Sequence, residues 1–489
     1  MRRVLAGLLC AFALLVSPAF AAGTSAPDAA GLRADAAILR RAYEAMHPGL
    51  YRYNTPVQMD RHFQELDAEL GRAGSLQDAF LAFTRFTATL ECGHSYPNFY
   101  NQSDAVAREL FQHQDRVPFY FEWLNRRMIV TRNFSNDSRL KPGTEIVEIN
   151  GTPAGAILSA LLPLARADGS NDAKRIDQMA VRGDDRYEPF DIYFPMLFPQ
   201  HSATMSLAIR TAAAESATVT ATALTYEQRI APIAAKLAAT NGSGPLWSLR
   251  YLDAATAYLK MPTWETYNSK WDWKADIERS FADLAARHAR TLIVDLRGNE
   301  GGTDVGNAIL AHLTGAPLHL DAYRRLVRYR TAPSDLLPYL DTWDPSFKDW
   351  GTAAVPFDER FFRLTKYDDD ANGDVIAPTA PRFNGSMYVL VDASNSSATF
   401  QFDDAVQRNH LGTLVGTPTG GNQRGINGGA FFFIRLPNSG LEVDLPLIGT
   451  FPVQTRPDAG LTPDVLIENT ARDIASGADP QLQAALAAR

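Results

Sequence analysis

The chain has 489 residues, of which 46% are hydrophobic and 21% charged, with a formal net charge of −8 at pH 7. That length is too great for one compact core and predicts several domains, while the ordinary composition excludes a largely disordered chain. The acidic balance, without any basic block, argues against nucleic acid or an anionic membrane as a partner.

Residues 1–22 read as a secretory signal peptide. Arg2 and Arg3 form the charged start, 4–16 the apolar core, and Ala19-Phe20-Ala21 the cleavage site. The apolar core is shorter than the ~20 residues a spanning helix needs, and no later segment is long enough to cross a bilayer. The expectation is an exported protein, periplasmic or secreted, without stable membrane insertion. Cleavage leaves Cys92 as the only cysteine. That excludes an intramolecular disulfide and a cysteine-held zinc, and no cofactor or metal is expected.

Residues 30–105 are predicted as a helical domain. Ala36, Ile38, Leu39, Tyr43 and Met46 recur at helical spacing until His47-Pro48-Gly49 ends the helix. A second helix at 59–70 presents Phe63, Leu66 and Leu70. A third, at 77–90, runs into Cys92-Gly93-His94-Ser95. A histidine beside a flexible glycine after a helix can point into a neighbouring cleft, although a capping or surface histidine reads the same way. Residues 115–215 change to short apolar pieces among turns. The run LKPGTEIVEING at 140–151 is a strand closed by an Asn-Gly turn.

After a linker at 216–250, α/β patterning begins and continues over 251–489. Strands at 256–259 and 291–294 flank an amphipathic helix at 273–289. The turn DLRGNEGG at 295–302 precedes a helix at 304–313. Its adjacent glycines let backbone N–H groups approach a ligand. The aromatic-rich segment 319–382 reads as a lid or substrate wall. Within it, 368–374 resembles the start of a calcium loop but has Thr379 where the loop needs a bidentate glutamate, so an acidic solvated turn is the better reading. Residues 430–436 and 441–447 pair as a hairpin around Asn438-Ser439-Gly440.

The chain is organised around 387–427. An apolar strand at 387–391 meets a small polar turn, then a helix at 398–410, then a strand from Leu414. This βαβ unit places Ser397 at a strand's carboxyl end and a helix N-terminus, where an oxyanion is stabilised. Ser394, Ser396 and Ser397 could equally be capping serines.

Taken together, these features resemble the tail-specific serine peptidases of the C-terminal-processing and tricorn kinds. The matching residues are His47-Pro48-Gly49-Leu50-Tyr51 with Gly93-His94-Ser95, the 140–151 stretch that resembles a PDZ domain, 295–302, Ser397-Ala398 within 389–416, and Gly460-Leu461-Thr462-Pro463-Asp464. The resemblance implies an α/β fold. Its parts would be a crotonase-like (ββα) catalytic core, an N-terminal helical domain and an inserted PDZ-like domain. It also implies serine acyl transfer on a protein or peptide substrate. Ser397 would be the nucleophile. The oxyanion hole would use the N–H of Ala398 and that of Gly301 or Gly302.

The C-terminal-processing branch takes a lysine base after the serine. Asn422 holds that position here, and no lysine follows Lys366. Arg424 cannot substitute, because a guanidinium keeps its proton. The tricorn branch takes a histidine from the region before the PDZ-like domain, which makes His94 the base. Asp458 is the candidate carboxylate to orient it, with Glu442 as the runner-up. Cys92 lies too close to His94 in sequence to face it across a substrate and reads as a buried, inert thiol. Two other functions fit the same residues: a peptide- or ligand-binding protein of this fold without chemistry, and a serine hydrolase acting on a small ester or amide.

Overall fold

The computed structural model describes residues 28–240, 242–320, 322–367 and 375–489. The signal segment and the calcium-like run at 368–374 lie outside the described residues. The protein is a mixed α/β fold with three large sheets. No described helix is long and apolar enough to cross a membrane.

Three helices open the described chain: Ala29–Met46, Pro56–Leu70 and Leu76–Thr89. The second starts with Pro56 at its first turn and a capping box in which Thr55 and Gln58 satisfy each other's backbone N–H groups. The apolar faces predicted from spacing are the buried ones: Leu39, Tyr43 and Met46 on the first helix, Phe63, Leu66 and Leu70 on the second, Phe80, Phe83 and Phe86 on the third.

The first sheet is antiparallel, in the order Phe119–Leu124, Arg127–Asn133, Glu145–Ile149, Thr204–Arg210, Ser216–Thr222. Asn150 (φ 51°) and Gly151 (φ 78°) make the predicted tight turn after Glu145–Ile149. Both central residues need positive φ, which Asn and Gly tolerate. The second sheet runs Leu340–Asp341, Asn427–Arg435, Glu442–Pro452, Tyr323–Val327, Phe362–Leu364, Ala354–Pro356. Its centre is the predicted hairpin. The aromatic-rich segment supplies four of these strands. Tyr329, Phe347 and Trp350 are buried, while Trp343 is 59% exposed. Part of that segment is therefore sheet and core, while the exposed Trp343 packs on Phe431, the ring that also touches His94.

The third sheet carries the candidate site. Its order is Val465–Leu466, Thr413–Gly416, Ser386–Val391, Thr291–Asp295, Thr256–Lys260, Ser248–Asp253, and every pair but the last is parallel. The strands are near-continuous apolar runs, as expected when helices cover a parallel sheet. Those helices are Trp273–Ala286, Val305–Leu313, Ser397–Arg408 and Pro480–Ala487. Leu292, Val294, Val389, Val391, Ile309, Phe281 and Phe402 share one core. A second core joins the N-terminal helices to the first two sheets through residues such as Phe83, Phe121, Phe432 and Leu445. The N-terminal helices thus pack on the hairpin sheet.

Candidate active site

Strands Thr291–Asp295 and Ser386–Val391 are parallel neighbours, with Leu390 opposite Asp295. The turns leaving them therefore emerge side by side at the carboxyl edge. Each begins a helix, Val305–Leu313 and Ser397–Arg408.

Buried asparagines stitch the two turns together. Asn395 Nδ2 donates to the carbonyls of Leu296 (2.6 Å) and Asn299 (3.1 Å), and its Oδ1 accepts the Asp392 N–H at 2.8 Å. Thr399 Oγ1 donates to the Asn299 carbonyl (3.0 Å) and Ser396 Oγ to that of Glu300 (3.2 Å). Asn299 and Asn395 are fully buried. These bonds tie buried backbone groups of one turn to side chains of the other.

The three serines of the turn separate by role. Ser394 and Ser396 are buried, and their hydroxyls donate to Asp177 Oδ2 (2.8 Å) and the Glu300 carbonyl. Ser396 occupies the cap position, yet its side chain makes no capping bond. Ser397 is half-buried and has φ 52°, the left-handed region that a side chain rarely occupies. A strained residue at the first position of a helix holds its side chain out of the helical stack. Ala398 follows at the second position, where the N–H has no intrahelical acceptor.

Gly301 faces this helix start, and Gly302 lies against Trp264. A β-carbon on Gly301 would lie 2.8 Å from the Ala398 nitrogen. The Gly301 N–H donates to Asn299 Oδ1 at 2.9 Å. Gly302 pairs with Trp264 in a parallel bridge. Its two bonds come from the flanking residues, Trp264 N–H to the Gly301 carbonyl (3.3 Å) and Thr303 N–H to the Trp264 carbonyl (2.9 Å). The bridge therefore turns the Gly302 N–H to the side away from Trp264.

His94 is half-buried and packs on Phe431 with ring centroids 5.9 Å apart. A β-carbon on Gly428 would stand 3.8 Å from its Nε2. Its Nδ1 is buried without a hydrogen-bond partner among the described residues. Burial lowers its pKa below the ordinary value; the Asp168 carboxylate opposes that shift, and Arg166, Glu300 and Lys174 also act on the ring. His47 backs this segment. Its Nδ1 accepts the Gly49 N–H (3.1 Å), which leaves Nε2 to donate to Ser95 Oγ at 2.9 Å. Burial drives the His47 pKa down to about 3, so it is a neutral structural histidine. Cys92 is buried, accepts from Asn427 Nδ2 at 3.3 Å, and has its thiol pKa pushed up by burial.

The hydrogen bonds of Asp458 end on Ser170 and Asn422. Its Oδ1 accepts the Ser170 N–H (3.0 Å) and Asn422 Nδ2 (2.7 Å), and its Oδ2 accepts Ser170 Oγ at 3.1 Å. Asn422 Nδ2 also donates to the Asp168 carbonyl at 3.0 Å. Asp168 Oδ1 in turn accepts the Gly93 N–H at 3.0 Å. A chain of bonds thus runs from Asp458 through Asn422 and Asp168 to the residue before His94. Glu442 lies elsewhere, on the hairpin, paired with Arg435 at 3.2 Å.

Asp168, Asn171 and Lys174 were not singled out by the sequence reading. All three are buried. Lys174 Nζ donates to Glu300 Oε1 (2.7 Å) and to the Ser394 carbonyl (3.1 Å). Burial would raise the Glu300 pKa, but Lys174, Arg166 and Arg182 overcome it and hold the carboxyl at about 2. No grouping of three or more His, Cys, Asp or Glu able to hold a metal occurs among the described residues.

Residues 255–467 match the model of peptidase family S41. No curated protein matches the sequence. Among solved structures, mature CPAF complexed with lactacystin is similar at 14% identity over 94% of this chain and 97% of that one, with a TM-score of 0.62. Mature CPAF is similar at 14% identity over 91% and 94%, with a TM-score of 0.60. These likenesses show a common fold along nearly the whole of both chains. The likeness to peptidase family S41 thus lies in residues 255–467, which hold the third sheet's parallel strands and both turns of the candidate site.

Proposed function

We propose that the chain is an exported peptidase that hydrolyses peptide bonds by acyl transfer through Ser397, with His94 as the base. The observation that carries this reading is the geometry of Ser397. Alone among the turn's three serines it is left-handed and half-buried, at a helix start that faces the Gly301-Gly302 turn. In the corresponding division, 30–105 is the helical domain, 115–215 the PDZ-like domain, 216–250 a linker, and 251–489 a crotonase-like catalytic domain. The segment 1–22 is the export signal, so the mature enzyme is periplasmic or secreted and meets protein or peptide substrates there.

In this mechanism Ser397 Oγ attacks the scissile carbonyl carbon and its proton passes to His94. The carbonyl oxygen becomes an oxyanion held by the N–H groups of Ala398 and Gly302. Gly302 is preferred over Gly301 because the Gly301 N–H is engaged with Asn299. Collapse expels the amine, which takes the proton from His94 and leaves an acyl-serine. Water, deprotonated by His94, then releases the acid and restores Ser397. Burial favours a neutral ring at His94, as a base requires. Asp458 supports the base indirectly, through Asn422 and Asp168.

Cleavage of unfolded casein by the mature chain, beside Ser397→Ala and His94→Ala, tests this reading. Loss of cleavage in both variants, with circular dichroism unchanged, is expected. Cleavage surviving Ser397→Ala would remove the nucleophile. A wild type that fails to label with a fluorophosphonate would turn the reading to a binding protein. A wild type that labels and cleaves small esters, but not casein, would turn it to a small-substrate hydrolase.

A further inference from the structure

We infer that Lys174 is a positioning residue that sets the spacing between the two halves of the oxyanion site. The inference rests on the reading of Ser397 as nucleophile, but its geometry is independent of it.

Lys174 lies on the short helix Asp172–Asp177 and is 3% exposed. Burying an ammonium group is costly unless it is fully engaged. Here its Nζ bonds one group from each turn: Oε1 of Glu300 at 2.7 Å and the carbonyl of Ser394 at 3.1 Å. Glu300 stands two residues before Gly302, and Ser394 four before Ala398. One rigidly held cation therefore ties together the backbone segments that carry both donors. Lys174 thus serves as a donor to one group of each turn.

The surroundings fit the side chain closely. A β-carbon on Gly420 would lie 2.9 Å from Lys174 Cδ and 2.1 Å from the Ala393 carbonyl oxygen, so glycine is what lets the lysine stem pass. The helix itself is fixed at both ends. Asn171 Nδ2 donates to the carbonyls of Thr419 (2.9 Å) and Gly421 (2.7 Å). Asp177 accepts from Ser394 Oγ at 2.8 Å and from Arg182 Nη2 at 2.6 Å. Ser394 is thus gripped through both its carbonyl and its hydroxyl by one helix. Two donors aimed at a tetrahedral oxygen work only if their separation is fixed before the reaction.

The test uses the mature chain as Lys174→Met, which keeps the stem and removes the ammonium, and as Glu300→Gln, a milder change at a half-exposed partner. Amide hydrogen exchange over 298–303 and 392–399 reads the stitching, and labelled-casein kinetics with fluorophosphonate labelling read its consequence. In Lys174→Met, exchange should rise at least about tenfold in both turns. Turnover should fall about 100-fold, with KM within about twofold. Glu300→Gln should speed exchange over 298–303 and lower turnover about tenfold. A folded Lys174→Met with unchanged exchange and turnover overturns the inference. Should that variant not fold, unchanged exchange and turnover in Glu300→Gln overturn it instead. If wild type neither labels nor cleaves, the peptidase reading fails, while the exchange comparison still decides the role of Lys174.

Discussion

Gly301 and Ser397 are in direct apposition: a β-carbon on Gly301 would fall 2.9 Å from the β-carbon of Ser397. The same atom would stand 2.8 Å from both the Ala398 nitrogen and the Ser396 carbonyl oxygen. Neither backbone can give without moving the serine helix or its asparagine stitching. Gly301 also has φ 101°, which a side chain resists. Gly301→Ala should therefore lower turnover by about 100-fold or more and slow fluorophosphonate labelling in step. Its circular dichroism should be nearly unchanged, because the rest of the core is untouched. Wild-type kinetics in this variant would show that the two turns are not the working pair.

The pH profile follows from His94. Burial lowers its pKa and the Asp168 carboxylate partly restores it. A base works when neutral, so activity should persist as pH falls through ~6.5, the ordinary imidazole value. The acid limb of kcat/KM should lie below that point. Asp168→Asn keeps an oxygen for the Gly93 N–H but removes the charge that favours the imidazolium. The acid limb should then move to still lower pH. A limb at or above the ordinary value, or a shift upward in Asp168→Asn, would contradict the placement of these two groups.

These sites were legible in the sequence to different depths, and the reason is physical. The strand–turn–helix around Ser397 and the glycine turn at 295–302 are local, so periodicity and punctuation reveal them. Resemblance picks out Ser397; what separates it from Ser394 and Ser396 in the fold is a backbone angle and two side-chain bonds that spacing does not carry. Lys174, Asn171 and Asp168 belong to a segment read only as part of the PDZ-like region. Each acts across more than a hundred residues: Lys174 on Glu300, Asn171 on Thr419, Asp168 on the link to Asn422. Asn422 drew notice only as a missing lysine, yet it is fully buried and joins Asp458 to Asp168. The aromatic segment divides: part of it joins the second sheet, and Trp343 stays exposed against Phe431, a split that composition does not carry.

Asp458→Asn separates a direct orienting role from a supporting one. A carboxylate bonded straight to a catalytic imidazole costs about 10⁴-fold when made an amide. The bonds of Asp458 run instead to Ser170 and Asn422. The expected loss in kcat/KM is about tenfold, accompanied by faster amide exchange around 168–170. A loss of three orders of magnitude or more with unchanged exchange would mean that Asp458 reaches His94 during catalysis.

Glu188 offers a prediction of stability. It is 8% exposed, and its Oε1 accepts the N–H groups of Arg182 (2.7 Å) and Gly183 (3.0 Å). Its Oε2 has no partner among the described residues. Burial and the nearby Asp191 carboxylate raise its pKa to about 8. The folded state thus holds a proton that the unfolded chain has released above ~4.3. The associated stability is complete below that value and is lost as pH climbs to about 8, where folding must desolvate a charge. Glu188→Gln preserves the acceptor and cannot ionise. Its melting temperature should match wild type only below ~4.3, exceed it increasingly toward pH 8, and then level off. The gain should be of order 1–3 kcal/mol. The effect bears on the site because Arg182, whose backbone Glu188 holds, bonds the Asp177 that grips Ser394. A melting difference that stays constant with pH would mean that Glu188 is already charged in the folded protein.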